Sequence, residues 1–501
     1  MEVVANIKIY EITENLSTDL DYSKNEIAIV LAAGHGKRIK SQTSKMLHKI
    51  WGVPTVERVY DACSNGIKDI NFIIVVGIKA TDVMDVLGKR PSTNYAYQEF
   101  QNGTGHAVQV ALEKIDDKSF DGIVYVLPGD MGLINKETVL QFRKDFISSG
   151  SDMMVLTGIY EGNPNENSYG RIIRVKEKDE NGNASGRDKD KVIEIMEFKD
   201  ILALPDDKQY KIIFNGKVYS FSKLELIENN EFNSGVYAFK YKKLRSLINQ
   251  ITGNNAQGEI YITDLIAMFN KNKMTVMAVS PREQHVVMGF NNKSVLMEME
   301  DVARKQYYNK LKDIIRIDDP DDFFIHETVI DQIIALDKKG TPLDITIGKG
   351  VHIGKGVSLN YNIEFKQNVE VDGSVHFDQN VTIWQNVNIS THSDQKLKIG
   401  RGVEILQGNI IKGNIEIGEG SRIESTVRLT GSDEFPLRIG KDVLIKGTSY
   451  IFGSVIEDGV HIEHSVIIKK KVERLVKKNG TIQPVRFYLP MPEGIDSIED
   501  L

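Results

Sequence analysis

The strongest constraint on the fold is an apolar residue at every sixth position in the C-terminal third of the chain. One series consists of Ile345, Val351, Val357, Ile363, Val369, Val375, Val381 and Val387, and a companion series follows at Ile347, Ile353, Leu359, Phe365, Val371, Phe377, Ile383 and Ile389. Neither an α-helix, which repeats about every 3.6 residues, nor a plain strand, which repeats about every two, has this period. Hexapeptide repeats are typical of a parallel β-helix, whose stacked rungs bury their inward side chains in one core. We therefore predict a left-handed parallel β-helix over residues 319–472.

The six-residue period is interrupted twice. It resumes at Leu397 after the polar stretch STHSDQK (residues 390–396) and at Leu437 after TGSDEFP (residues 430–436). We expect both stretches to be loops extruded from the β-helix. Beyond Val472 the repeat ends, and residues 473–501 are predicted to form a C-terminal tail.

Residues 26–290 show a different pattern, in which short apolar runs alternate with amphipathic stretches. Short apolar runs such as IAIVLAA (27–33), NFIIVVG (71–77) and GIVYVLPGD (122–130) are separated by amphipathic stretches of helical period. Strands of this kind, separated by helices, are typical of a largely parallel sheet that is covered on both faces. The pattern predicts an α/β domain with a Rossmann-like parallel or mixed sheet over residues 26–290.

Three segments lie outside these two patterns. Residues 1–25 are mixed and acidic, and we interpret them as an N-terminal extension of uncertain order. Residues 291–318 keep a rough helical spacing and are predicted to form a linker helix. Residues 206–230 contain two apolar stretches and are predicted to add a hairpin to the first domain.

Charge and cysteine content exclude several classes of protein. The net charge is −7 and the chain lacks an evident basic face, which argues against a nucleic-acid partner. The single cysteine, Cys63, excludes an internal disulfide and a Cys-rich zinc site. The sequence shows no signal peptide and no run of about 20 apolar residues that could span a bilayer. A cytoplasmic protein without a membrane partner is the expectation.

A glycine-rich turn follows the first predicted strand in IVLAAGHGKRIKSQTSKML (29–47). Glycines at the carboxyl end of a parallel strand let the backbone approach a phosphate closely. The two common phosphate motifs do not fit, because Ile39 stands where a dinucleotide fingerprint needs a third glycine and Arg38 stands where a P-loop needs Ser or Thr. A structural turn with surface cations therefore remains an alternative. However, Arg38 and Lys45 flank a polar loop, and such a pair suits the negative charge of a nucleoside triphosphate.

Further stretches carry a resemblance to a known family. The stretch L-A-A-G-x-G-x-R, a lysine seven residues later, and Leu47, Gly52 and Pro54 resemble the signature of sugar-1-phosphate nucleotidylyltransferases. The later stretches GTGHAV, LPGDMGLI, YGRI, IMEFKD, FNSGVYAF, NNAQGEIYITDLI and GFNN follow in the order seen in bacterial N-acetylglucosamine-1-phosphate uridylyltransferases. This resemblance covers about residues 26–295, and NNAQGEIYITD is its most specific part.

The resemblance implies a role for individual residues. The nucleotide would lie over Leu31, Ala32, Ala33 and Gly34, with Gln98 beside the uracil and Gly103 and Thr104 closing on the base. Asp130 and Asn291 would hold Mg²⁺, and Arg38 and Lys45 would be the catalytic cations. The sugar would contact Gly170, Glu197, Asn233 and Thr263.

The implied reaction joins UTP and N-acetylglucosamine-1-phosphate to give UDP-N-acetylglucosamine and pyrophosphate. The sugar phosphate is already anionic and needs no general base, so the protein must mainly hold two polyanions together. Ser44 stands where the family usually has proline before the lysine, and Gly132 stands where proline is common. These departures and the 206–230 insertion leave another sugar-1-phosphate or nucleotide open as an alternative.

The β-helix departs further from the family. In bifunctional members it is an acetyltransferase with a histidine in a G-H-x-x-Y-x-G-D stretch and an N-Y-D-G stretch, and neither stretch occurs here. The histidines of this region, His352, His376, His392, His461 and His464, lie in other contexts. We expect the β-helix to support assembly, as a homotrimer. A bifunctional enzyme with an unrecognised acetyltransferase site stays open, and so does an inactive nucleotide-sugar sensor or scaffold.

Overall fold

The computed structural model describes residues 2–34, 36, 39–253, 255 and 258–487, with side chains from residue 8 onward. The chain divides into two compact units, Met1–Glu300 and Asp301–Leu501. Within the described ranges, no helix is both long enough and apolar enough to cross a membrane.

The first unit alternates strands and helices. Its strands are β1 (Glu26–Ala32), β2 (Lys49–Ile50), β3 (Val53–Pro54), β4 (Asn71–Val76), β5 (Thr93–Tyr97), β6 (Ile123–Pro128), β7 (Met153–Ile159), β8 (Arg171–Arg174), β9 (Val192–Met196), β10 (Tyr210–Phe214), β11 (Lys217–Phe221), β12 (Glu231–Lys240) and β13 (Val276–Val279). Its helices are α1 (Glu2–Leu16), α2 (Thr55–Gly66), α3 (Ala80–Leu87), α4 (Thr104–Leu112), α5 (Lys136–Ser149), α6 (Phe198–Ala203), α7 (Lys223–Glu228), α8 (Tyr241–Leu247), α9 (Asp264–Lys271) and α10 (Lys293–Leu311), the last of which runs past the boundary of the unit.

The main sheet of this unit is mixed. Its strand order is β13-β7-β12-β6-β1-β4-β5, with β8 paired to β12 and β9 paired to β8. Strand β1 is parallel to β4 and β6, whereas β12 is antiparallel to β6 and β7. Alternate residues of β1 face two separate hydrophobic cores. Ala28 and Val30 pack in one core, and Ile27 and Ile29 pack in the other. The prediction of a Rossmann-like mixed sheet covered on both faces is confirmed.

The N-terminal extension is ordered as a helix against the sheet. The side chains of Ile9, Ile12 and Leu16 on α1 pack against one of the two cores. Beyond the helix, Ser17 Oγ accepts a hydrogen bond from Tyr95 N at 2.9 Å, so the extension follows the free edge of β5. The sequence left this segment uncertain because charged residues stand between its apolar positions, and its partner strand lies far along the chain.

Thr18 holds the extension to that edge through hydrogen bonds of its side chain. Its Oγ1 accepts from Thr93 N and donates to Arg90 O, both at 2.8 Å. Replacing Thr18 with the isosteric valine leaves both backbone groups without this partner, and we expect the free energy of unfolding to fall by about 1–2 kcal/mol. Denaturant titration of the variant, beside Thr43→Val in an exposed loop, measures this loss. Equal stability of the two variants would show that these hydrogen bonds contribute nothing.

The predicted hairpin in the insertion is present. Strands β10 and β11 are antiparallel, and Phe214 pairs with Lys217 across a two-residue turn. Asn215 and Gly216 both have positive φ, 48° and 78°, as a type I′ Asn-Gly turn requires. The hairpin covers a small separate core on β8 and β9, which includes Ile173, Tyr219 and Phe221.

The second unit is built from short strands. They are β14 (Arg316–Ile317), β15 (Phe323–Ile325), β16 (Thr346–Ile347), β17 (Val351–Ile353), β18 (Ile363–Phe365), β19 (Glu370–Asp372), β20 (Val375–Phe377), β21 (Val381–Ile383), β22 (Asn388–Ser390), β23 (Leu397–Ile399), β24 (Glu404–Ile405), β25 (Ile410–Gly413), β26 (Ile415–Ile417), β27 (Arg422–Ile423), β28 (Arg428–Gly431), β29 (Leu437–Ile439), β30 (Leu444–Lys446), β31 (Tyr450–Phe452), β32 (Val455–Ile456), β33 (His461–Glu463), β34 (Val466–Ile468) and β35 (Lys471–Val472). A helix, α11 (Glu327–Asp337), lies between β15 and β16.

These strands stack into three parallel sheets. Their orders are β14-β16-β18-β21-β24-β27-β30-β33, β15-β17-β19-β22-β25-β28-β31-β34 and β20-β23-β26-β29-β32-β35. Asparagines at equivalent turns, Asn362 with Asn380 and Asn368 with Asn386, are hydrogen-bonded at a separation of 18 residues, which is three hexapeptides per rung. Every member of both apolar series is buried. The predicted β-helix is confirmed.

The stacked sheets begin earlier than the sequence pattern suggested. Strand β14 at Arg316–Ile317 already pairs with β16, inside the segment predicted to be a linker helix, and α10 ends at Leu311. The two polar interruptions are loops between β22 and β23 and between β28 and β29, as expected. The core stays continuous across both, because Val375 pairs with Leu397 and Ile415 pairs with Leu437.

Candidate functional site

The glycine-rich turn leaves β1 at the carboxyl edge of the sheet, between the ends of β4 and β6. Of the four residues predicted to lie under the nucleotide, Leu31 and Ala32 end β1, and Ala33 and Gly34 begin the turn. Gly129 N, at the end of β6, donates to Leu31 O at 2.9 Å. A Cβ on Gly77, at the end of β4, would lie 2.8 Å from both the Cβ and the carbonyl oxygen of Ala33. Glycine at position 77 therefore allows the end of β4 to pack closely against the turn.

Gly36 brings the lysine segment to the turn. Its φ is 68°, in the left-handed region, and a Cβ there would lie 2.7 Å from Lys45 Cβ. The backbone of the turn thus packs directly on the lysine side chain. Arg38, the other predicted catalytic cation, lies outside the described residues.

Lys45 brings together the two predicted metal ligands. Its ammonium forms a salt bridge with the Asp130 carboxylate at the end of β6 and donates to Asn291 Oδ1 at 3.0 Å. Phe290 lies beside it, with the ring centroid 5.4 Å from Nζ. The side chains of Lys45 and Asp130 are each only 12% exposed. One cation and two oxygen-bearing side chains, which come from three distant segments of the chain, therefore converge at the turn.

The donor set fits Mg²⁺ bound together with a phosphate-bearing substrate. Among the described residues, no group of three or more His, Cys, Asp or Glu side chains is arranged to hold a metal ion. Asp130 and Asn291 supply one carboxylate and one amide oxygen, and Mg²⁺ usually takes one or two protein oxygens and completes its octahedron with water and phosphate. The same pair would be a poor zinc site, because zinc prefers three or four nitrogen or sulfur ligands.

Two chain segments meet beside the turn on the predicted base side. Ile260 N donates to Asn102 O at 2.7 Å, and Gly105 N donates to Ile260 O at 2.8 Å. Ile262 N donates to Thr104 Oγ1 at 3.3 Å. A Cβ on Gly103 would lie 2.5 Å from Ile260 O, so only glycine allows this approach. The GTGHA and EIYIT stretches therefore form one continuous wall.

Gln98 lies between β5 and this wall. It is only 3% exposed, and its backbone N–H donates to Val76 O at 2.8 Å. Its Nε2 donates to Gly103 O at 3.1 Å and lies 3.1 Å from His106 Nδ1. The structure thus brings Gln98, Gly103 and Thr104 together. His106 was not singled out from the sequence, although its position in GTGHA was a usable signal.

Three of the predicted sugar residues are adjacent. Asn233 N donates to Gly170 O at 2.8 Å, and a Cβ on Gly170 would lie 3.2 Å from Glu197 Oε1. Strand β12 shifts register between Asn233 and Val236, and such a bulge re-aims a side chain. Asn233 Oδ1 accepts from Tyr237 OH at 2.9 Å. Because Oδ1 is engaged, the amide presents its NH₂ group to a ligand.

The Glu197 carboxylate lies in an unusual electrostatic setting. Burial, together with the nearby carboxylates of Asp200, Asp264 and Glu259, raises the pKa of Glu197 to about 7. The buried Oγ1 of Thr263 lies nearby and makes no hydrogen bond with the described residues. A carboxyl group and an unpaired hydroxyl in one pocket are suited to the hydroxyl groups of a sugar.

The raised pKa of Glu197 makes stability depend on pH. The folded protein holds this proton more tightly than the unfolded chain, whose ordinary value is 4.5, so the free energy of unfolding falls as pH rises from 4.5 through about 7. Glu197→Gln removes this contribution and should become stabilising relative to the wild type as the pH rises through that window. Chemical denaturation across the window measures the difference, with the exposed Glu161→Gln as control. A difference that stays constant with pH would contradict the expected titration.

Tyr169 joins the sugar side to the metal side, a contact that the sequence did not reveal. Its hydroxyl donates to Gly289 O at 2.6 Å and accepts from Gly289 N at 3.2 Å. Its ring stacks on Phe232, with centroids 4.5 Å apart. Since Gly289 precedes Phe290 and Asn291, Tyr169 fixes the loop that carries the second metal ligand.

Part of the chain is similar to known proteins. The family model of the MobA-like NTP transferase domain matches residues 28–169. A protein named Bifunctional protein GlmU from Caldanaerobacter subterraneus is 34% identical over 305 residues, which are 60% of this chain and 57% of that relative. Its counterpart from Acetivibrio thermocellus is 33% identical over 305 residues, with the same coverage of both chains. The chain therefore spans little more than half the length of the curated relatives it matches.

A more distant likeness is found among solved structures. A UDP-glucose pyrophosphorylase complexed with UDP-glucose is 16% identical and covers 56% of this chain and 99% of its own, with a TM-score of 0.37. A likeness of this degree carries no argument about ligands. Over 60% of its length the chain is similar to proteins named GlmU, and residues 28–169 match the family model of the MobA-like NTP transferase domain.

Proposed function

We propose that the first unit is a Mg²⁺-dependent uridylyltransferase that makes UDP-N-acetylglucosamine and pyrophosphate from UTP and N-acetylglucosamine-1-phosphate. The observation that carries this proposal is the convergence of Lys45, Asp130 and Asn291 at the glycine-rich turn. A sugar-1-phosphate nucleotidylyltransferase needs a cation and a metal site at the triphosphate, and these three side chains at the carboxyl edge of the sheet are the groups proposed to supply them. The homology to proteins named GlmU supports the same reaction class.

The chain would act mainly by positioning and by offsetting negative charge. The turn from Leu31 to Gly34 would seat the triphosphate on its backbone, and Lys45 would neutralise phosphate oxygens as the sugar phosphate attacks the α-phosphorus. Asp130 and Asn291 would hold Mg²⁺, which supplies further positive charge to the phosphate oxygens and the leaving pyrophosphate. Arg38 is proposed to share the role of Lys45.

Substrate selection would divide between the two sides of the turn. Gln98, Gly103 and Thr104 are proposed to contact the uracil. On the other side, Gly170 packs closely against Glu197, and the NH₂ group of Asn233 is proposed to face the sugar. An acetamido carbonyl is a suitable acceptor for that NH₂ group, and ring hydroxyls are suitable partners for Glu197 and Thr263.

The test is a panel assay of pyrophosphate release with Mg²⁺. The purified chain is offered UTP, CTP, dTTP or GTP with N-acetylglucosamine-1-phosphate, glucosamine-1-phosphate or glucose-1-phosphate. The proposal requires the highest kcat/KM for UTP with the N-acetylated sugar, and no turnover when EDTA replaces Mg²⁺. A clear preference for another sugar or nucleotide would overturn the substrate assignment. Binding of UDP-N-acetylglucosamine without any turnover would indicate a sensor.

We assign the β-helix to assembly and propose a cytoplasmic homotrimer formed through it. Support comes from the sequence, which lacks both acetyltransferase stretches of bifunctional family members. Light scattering combined with gel filtration gives the mass of the assembly, and a monomer would overturn the trimer. Consumption of acetyl-CoA in the presence of glucosamine-1-phosphate would assign the β-helix an activity instead.

A further inference from the structure

We propose that Lys45 competes with Mg²⁺ for the oxygens of Asp130 and Asn291, so that the site takes up the metal together with the nucleotide rather than alone. The inference rests on the proposed function, which assigns these two side chains to the metal. It gives the ammonium of Lys45 two successive partners. The first is the pair Asp130 and Asn291, and the second is the phosphate chain of the bound nucleotide.

Lys45 already engages the atoms that a metal would need. Its Nζ forms a salt bridge with Asp130 Oδ2 and donates to Asn291 Oδ1 at 3.0 Å. That oxygen is the only one in the asparagine side chain. A Cβ on Gly289 would lie 3.3 Å from Asp130 Oδ2, so backbone closes another side of the carboxylate. Mg²⁺ approaches its oxygen ligands to about 2.0–2.1 Å, and here it would do so beside a positive charge that contacts both of them.

The charge of Lys45 has a large effect because the site is shielded from water. The side chains of Lys45 and Asp130 are each 12% exposed, and the ring centroid of Phe290 lies 5.4 Å from Nζ. A cation next to a carboxylate typically lowers the affinity of that carboxylate for a proton by a factor of about 10–10³. A divalent cation carries twice the charge of a proton and is repelled more strongly. We therefore expect Lys45 to lower the affinity of the site for Mg²⁺ by at least about tenfold.

Lys45 can leave these oxygens without a change in the backbone. A Cβ on Gly36 would lie 2.7 Å from Cβ, 3.2 Å from Cγ and 3.3 Å from Cδ of Lys45, so the stem of the side chain runs along the glycine-rich turn. Rotation about the distal bonds of this flexible stem moves Nζ alone. Phosphates seated on the turn would lie beside the stem, and their negative charge would draw the ammonium away from Asp130 and Asn291.

The experiment measures metal binding by the full-length chain in the absence of nucleotide. Mn²⁺ is the probe, because electron paramagnetic resonance distinguishes its free and bound forms. Lys45→Met removes the charge, Lys45→Gln removes the charge but keeps a hydrogen-bond donor, and Lys45→Arg keeps the charge. Lys49→Met, at an exposed position on β2, is the control for loss of a lysine. Thermal unfolding identifies any variant that does not fold.

Lys45→Met and Lys45→Gln are expected to bind Mn²⁺ at least about tenfold more tightly than the wild type. Lys45→Arg and Lys49→Met should keep the wild-type Kd. Adding Asp130→Asn to Lys45→Met should abolish the gain, since the metal then lacks its carboxylate. The inference would be overturned by unchanged affinity in the two neutral variants, by an equal gain in Lys45→Arg, or by a gain that survives Asp130→Asn.

Turnover of the wild type, measured as pyrophosphate release, separates this inference from the proposed function. A wild type that transfers UMP to the sugar phosphate, together with neutral variants that bind Mn²⁺ no better, would refute the competition and leave the function standing. A wild type without turnover, together with neutral variants whose gain in Mn²⁺ affinity depends on Asp130, would refute the function and leave the competition standing.

Discussion

Lys45→Ala is expected to lower turnover by about 10²–10³-fold, with a much smaller change in the affinity for UTP. Among the described residues, Lys45 supplies positive charge at the turn, and its ammonium contacts both Asp130 and Asn291. In the proposed reaction, negative charge grows on the phosphate oxygens as the sugar phosphate approaches. Removal of one preorganised positive group from such a site typically costs about this factor. Steady-state pyrophosphate release at saturating substrates measures the change.

The matched control is Lys49→Ala, a nearby lysine that is exposed on β2. It should retain wild-type turnover, which separates the effect of position from a general loss of positive charge. A Lys45→Ala enzyme with near wild-type kcat would contradict the role of Lys45 and with it the central step of the mechanism. A large rise in KM at unchanged kcat would place Lys45 in substrate binding alone.

Asp130→Asn is expected to lower turnover by about 10³-fold and to shift Mg²⁺ dependence to much higher concentrations. Asparagine keeps the shape of the side chain but removes the negative charge, and Asp130 is the one carboxylate of the proposed pair of metal ligands. Because Mg²⁺ sites depend on charged oxygen ligands, the neutral amide should hold the ion poorly. Titration of activity with Mg²⁺ gives the shift directly.

A second consequence separates the metal role from a structural one. Lys45 and Asp130 are both largely buried, so the variant leaves an ammonium without its carboxylate and should unfold at a lower temperature. The double variant Lys45→Met with Asp130→Asn removes both charges and should recover stability without recovering activity. Asp121→Asn, at an exposed position, is the control. Normal Mg²⁺ dependence in Asp130→Asn would rule out Asp130 as a ligand.

The β-helix could be predicted in detail because its periodicity is local. A rung closes within 18 residues, and each inward position must be apolar or small, so the core is visible in the sequence as a spacing. Some inward positions are polar instead. Asn409 and Ser421 occupy inward positions and are fully buried, and each is hydrogen-bonded to backbone groups of neighbouring rungs.

The site could be predicted only through the order of motifs. Lys45 and Asn291 are 246 residues apart in the chain, and no periodicity relates them. The link from Tyr169 to Gly289 was not predicted, because it depends on side-chain directions that only packing determines. The helical N-terminal extension was missed for a related reason. Its stability comes from contact with β5, whose sequence gives no sign that its edge is covered.

The covered edge of β5 shows that residues before the first motif contribute to the fold of the first unit. Every motif of the proposed transferase lies after Glu26, so a chain trimmed to the motifs would keep all of the chemistry. It would also lose Ser17 and Thr18 and so expose the outer edge of β5, the strand that directly precedes Gln98. An open strand of this kind can recruit a strand from another molecule and promote aggregation. The first 25 residues thus cover an edge that would otherwise be open to such pairing.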